Sequence, residues 1–172
     1  MIPDPLHPAV VHIPVALAVI LPLIIAISVY IIRKGNSAFS AWLPVAALSV
    51  LLFGGALLAK QSGGAEEEAV ESLVSEQVIE AHEENAELFT VVAGVLVVLV
   101  AGGFLKKNLG RSLRVAAAAA SVVLFALAFK TGHSGGELVY RYGAASVNRM
   151  EAVPASTNER SVYSREDRDS DD

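Results

Sequence analysis

The sequence predicts an all-α fold, an integral membrane four-helix bundle with an amphipathic extramembrane helix leading into span three. Three observations predict it. The chain of 172 residues is strongly apolar, with a mean hydropathy of +0.52. That apolarity gathers into four blocks without a charged residue, at 13–32, 38–59, 88–105 and 115–129. The segments between the blocks are charged, basic after the first and third and rich in glutamate after the second.

A helix needs about 20 apolar residues to cross the hydrocarbon core, and about 17 at the least. The first three blocks reach that length unaided. The fourth is short, but Arg114 and Lys130 flank it and can snorkel to the interfaces. Backbone groups in lipid must be satisfied within their own segment, so these spans are helices. None alternates as a barrel strand would. The expected spans are about 11–32, 39–60, 88–105 and 114–131, within one membrane domain over 1–150.

Pro8 and Pro14 fall in the first turns of the first helix, where proline costs least, and Pro22 is mid-span and should kink it. Gly63-Gly64 is expected to end the second helix. Residues 65–87 then read as an amphipathic helix outside the membrane, with Val70, Leu73, Val74, Val78 and Ala81 at helical spacing and a separate stripe of Glu76, Glu80, Glu83 and Glu87. Nothing breaks this helix before Leu88, so it leads directly into the third span. Gly132, Gly135 and Gly136 read as a stop after the fourth. Residues 151–172 read as a charged, disordered tail. No internal repeat is evident.

Arg33-Lys34 follows the first span, and Lys106, Lys107, Arg111 and Arg114 follow the third, with no acidic residue beside them. The connection between spans two and three carries nine glutamates instead. Short basic loops stay in the cytoplasm, which places both termini outside it, in a multi-pass protein of a bacterial inner membrane. There is no cysteine, which removes disulfides, iron–sulfur clusters, thiolate zinc sites and covalently attached haem from this chain. No cleavable signal is evident, since the first residues lack a basic region. The net charge of -5 and scattered basic residues speak against nucleic-acid binding.

The candidate functional residues are the four histidines. His7, His12, His82 and His133 all fall on the outer side in this topology. Helical phase sets His82 on the border of the apolar stripe, away from the glutamates. His12, His82 and His133 are expected to converge on one pocket with His7 at its rim. Two imidazoles from facing helices would serve a non-covalent haem b, with His12 and His133 as the axial pair and Arg141 meeting a propionate. The same imidazoles, His12, His82 and His133, with Glu83 or Glu84, would suit a metal ion. The competing reading is that each histidine is an interfacial anchor or cap. The Glu-x-x-His spacing of di-iron bundles is missing, because Ile79 stands three residues before His82.

Three stretches also carry a family resemblance. They are Leu6-His7-Pro8-Ala9-Val10-Val11-His12-Ile13-Pro14, Ala81-His82-Glu83, and Gly132-His133-Ser134-Gly135-Gly136-Glu137-Leu138-Val139-Tyr140-Arg141-Tyr142-Gly143. Together they resemble the bacterial membrane family known as domain of unknown function 2231, over about residues 6–147. The resemblance implies a four-span membrane protein, an association with bacterial electron-transfer proteins, and His7, His12, His82 and His133 as motif residues. It implies no reaction. One departure is that the closing motif often has histidine where this chain has Tyr142. Three functions stay open: a haem-binding, electron-transfer related protein that is not itself an enzyme, a metal-binding protein, and a cofactor-free structural or assembly subunit of a membrane complex.

Overall fold

A computed structural model describes residues 6–71 and 74–144. The elements are α1 (His7–Val10), α2 (His12–Arg33), α3 (Ala38–Glu71), α4 (Glu76–Gly102) and α5 (Lys107–Tyr140). Four stretches are long and apolar enough to cross a membrane: His7–Arg33, which takes in α1 and α2, then Ala38–Gly64, Glu76–Gly102 and Lys107–Tyr140. α2 packs on α3 and α5, and α4 packs on the same two, so the spans form a closed ring in chain order. Short connections make each span antiparallel to the next.

The packing follows from side-chain size. Leu21, Ile25, Trp42, Leu52, Leu96 and Leu124 are fully buried at the centre. Ala18, Ala93, Ala117 and Ala128 let the backbones approach. Leu23, Leu51, Val98 and Val122 face outward. Only 22–33 % of each apolar window lies inside the bundle, the reverse of a water-soluble protein. The outward apolar face is matched to lipid, and the chain is an integral membrane protein. Hydroxyls within the spans return to their own helix: Ser49 Oγ donates to Val45 O (2.7 Å), Thr90 Oγ1 to Ala86 O (2.8 Å) and Ser121 Oγ to Ala118 O (2.8 Å).

Three expectations are corrected here. Gly63-Gly64 does not end a helix, since α3 runs through it to Glu71. The helix expected over 65–87 is therefore divided. Its first part extends α3, and a break at Ser75, whose backbone is extended (φ -65°, ψ 138°), starts α4. From Glu76 the helix does run unbroken into span three. Val74 and Ile79 are buried, so the inward face of α4 is centred near Ile79, His82 and Phe89. Likewise Gly132, Gly135 and Gly136 do not end α5, which continues to Tyr140. The stop lies at Gly143, whose φ of +76° is open to glycine without cost, after Tyr142 N–H has turned back to Glu137 O (3.1 Å). Interior glycine costs a helix about 1 kcal/mol, and two of these glycines are retained for space, as shown below.

At the basic end, Lys107, Arg111 and Arg114 belong to the first turns of α5 rather than to a loop. Pro22 lies inside α2, which continues past it to Arg33. Residues 151–172 and the domain edge at 150 lie outside the described residues.

Candidate functional site

The site begins with where α1 puts His7. Pro8 in its first turn presets a helical backbone, and the four-residue helix lies against α3. His7 Nδ1 sits 2.8 Å from Ala59 O and 3.3 Å from Ser62 Oγ. A carbonyl only accepts, so Nδ1 carries the proton, and in the neutral ring Nε2 holds the lone pair. Gly63 makes the contact possible, because a Cβ there would stand 3.2 Å from the His7 ring.

His82 is held the same way by α5. Its Nδ1 is 2.8 Å from Ser134 Oγ, and Ser134 Oγ donates its single proton to Thr131 O at 3.0 Å. Ser134 therefore accepts from His82 Nδ1–H, and Nε2 again holds the lone pair. Gly135 gives the ring its room, with a Cβ there standing 3.1 Å from His82 Cε1. The His7 and His82 rings lie 6.4 Å apart between centroids and perpendicular. His82 belongs to the polar turns of α4, ahead of the apolar stretch that begins at Leu88, beside exposed Glu83 and Glu84.

The two clamps are copies of one another. Ser62-Gly63-Gly64 near the end of the first helical hairpin corresponds to Ser134-Gly135-Gly136 near the end of the second. Each receives the histidine that opens its own hairpin, 55 residues earlier for His7 and 52 for His82. In each, the serine hydroxyl bonds back to the carbonyl three residues before it, at 3.0 Å. Arg33-Lys34 and Lys106-Lys107 repeat at the opposite end of the first helix of each hairpin. The two hairpins thus repeat one histidine contact with Ser-Gly-Gly, and the two rings lie near one another at the same end of the bundle. This corrects the expectation of no internal repeat. The sequence signal was the duplicated Ser-Gly-Gly, too short to stand out within apolar helices.

The structure does not bring the other histidines to this pair. His12 is exposed and has no hydrogen bond or ion pair among the described residues. The His133 side chain is 80 % exposed, with Nε2 4.0 Å from Glu137 Oε2. The expected convergence of His12, His82 and His133 is therefore corrected to a pairing of His82 with His7. The reason is that α5 stays helical through Gly132, so His133 is turned about 100° from Ser134, the residue that faces His82. Arg141 lies farther along α5, its Nη1 3.2 Å from Glu137 Oε1 and its guanidinium carbon 5.8 Å from the Tyr142 ring centroid. Among the described residues no three histidine or acidic side chains form a group able to hold a metal ion.

The fold and these clamps define a class: a four-span membrane bundle made of two hairpins, each presenting one imidazole at the same end. Residues 3–148 match the family described as "Predicted membrane protein (DUF2231)", and the chain belongs to that family. Neither a curated protein nor a solved structure matches it.

Proposed function

We propose that His7 and His82 together form a two-imidazole coordination site, with the iron of a non-covalently bound haem b as its occupant. The duplicated clamp carries this reading. Ligating imidazoles almost always fix their second nitrogen by a hydrogen bond to a carbonyl or similar acceptor, and both rings do so through Nδ1. The ring centroids lie 6.4 Å apart, so His7 and His82 would be the residues to hold an iron between them. A bare ion would find only two protein ligands here, whereas a haem needs no more than two. Gly64, Gly132 and Gly136 near this end have nothing within 4 Å of a Cβ position, so no protein side chain packs on them. Haem would supply one-electron chemistry, and the protein would serve an electron-transfer complex.

The loop charges support placing the histidine end outside the cytoplasm of a bacterial inner membrane. The test is the absorption spectrum and metal content of detergent-purified protein from haem-sufficient cells. A Soret band with a low-spin, bis-imidazole spectrum is expected, lost in both His7→Ala and His82→Ala and retained in His12→Ala and His133→Ala. Purified wild-type protein without a Soret band would end the haem reading. Stoichiometric metal without haem would move the proposal to a bare ion.

One observation favours a second reading, a structural or assembly subunit. Each imidazole also ties helices together, His7 joining α1 to α3 and His82 joining α4 to α5. On that reading His7→Asn and His82→Asn would keep partner association, with no chromophore to lose.

A further inference from the structure

The end of the bundle opposite the histidines is built around Arg114. Its side chain is half-buried, with Nε–H donating to Gly103 O at 2.8 Å and its guanidinium carbon 5.8 Å from the Trp42 ring centroid. Trp42 is itself fixed, fully buried with Nε1–H donating to Val100 O at 2.8 Å. The plane of the guanidinium is thus set by α3, the α4–α5 connection and α5 together. Its Nη groups make no hydrogen bond or ion pair among the described residues.

The same end of the bundle carries Arg33, Lys106, Lys107 and Arg111, all exposed and none in an ion pair among the described residues. Every carboxylate of the described residues falls at 66–87 or at 137, so among the described residues this end has no counter-anion. Phe39 and Phe104 pack at 5.5 Å beside it, and Phe39 is 65 % exposed where the apolar surface begins.

We propose that this end binds the phosphate of an anionic phospholipid, with the Nη edge of Arg114 as the bidentate donor. The oriented fork matches phosphate geometry, and the surrounding cations supply the field. Basic pockets between transmembrane helices take anionic headgroups in this way. Phe39 supplies the apolar ledge along which an acyl chain runs, and a free phosphate has no use for it. The commitment is therefore to a lipid.

The test uses delipidated full-length protein in detergent, with phosphatidylglycerol, phosphatidylcholine or inorganic phosphate added. Lipid retention is read by native mass spectrometry, and stability by the emission of Trp42, the single tryptophan. Phosphatidylglycerol is expected to bind at least about tenfold tighter than phosphatidylcholine, the worth of one good charge-assisted contact. Arg114→Gln should abolish most of that preference. Lys106→Gln with Arg111→Gln should reduce it several-fold without altering the Trp42 spectrum, and it decides the matter should Arg114→Gln not fold. Equal retention of the two lipids, or a preference unchanged in the variants, overturns the proposal. Inorganic phosphate protecting as well as phosphatidylglycerol would overturn it in favour of a free-anion site.

Discussion

In each Ser-Gly-Gly the first glycine should resist alanine and the second should welcome it. A Cβ at Gly63 would stand 3.2 Å from the His7 ring, and one at Gly135 would stand 3.1 Å from His82 Cε1. At Gly64 and Gly136 nothing lies within 4 Å. All four are interior helical positions, so each alanine gains about 1 kcal/mol of helix propensity. At Gly64 and Gly136 that gain stands alone, and the variants should be more stable by up to about 1 kcal/mol. At Gly63 and Gly135 the ring must move by a few tenths of an ångström. It is not free to do so, because its Nδ1 is held at 2.8 Å by Ala59 O or Ser134 Oγ. Overpacking of that kind costs about 1–3 kcal/mol. The expected net change is from about zero to 2 kcal/mol of destabilisation, leaving a gap of roughly 2 kcal/mol between first and second glycine. Thermal unfolding of the four single variants in one detergent measures it. Gly135→Ala as stable as Gly136→Ala would refute the claim that this glycine is kept for the imidazole.

A further outcome concerns the orientation of the spans. Cysteine at Ser75 should react with an impermeant thiol reagent on intact cells and cysteine at Asn108 should not, and strong labelling at Asn108 would reverse the proposed orientation.

The bundle was legible because its driving force is written in runs of side chains. Four charge-free blocks demand four spans whatever their partners, and the ring of helices follows from short connections. Helix ends were not legible, for a local reason. Gly63-Gly64 and Gly132 carry the composition of a stop, yet glycine in a helical backbone does not by itself end a helix. Here the chain turns at Gly143 (φ +76°), while Gly63 and Gly135 stay helical and each faces an imidazole where a Cβ would crowd it. A ring arriving from 52 or 55 residues away leaves no mark in local periodicity.

The site was half legible for the same reason. Phase turned His82 inward correctly, since Ile79, His82 and Phe89 share the packed face of α4. His133 misled, because its position depended on a helix end that is not there. His7, expected at the rim, is instead the partner, since α1 is clamped to α3 before α2 begins. Two hairpins each bring one histidine to one Ser-Gly-Gly and hold the ring by the same nitrogen. The proposed shared site needs both rings, whereas an interfacial anchor needs only its own clamp. The decisive comparison is therefore between single and double disruption: Ser62→Ala and Ser134→Ala should each weaken occupancy of a shared site, and the two together should cost no more stability than their separate hydrogen bonds, about 1 kcal/mol each. Weakened retention of the chromophore with either serine alone, while both folds persist, separates a shared site from two independent helix clamps.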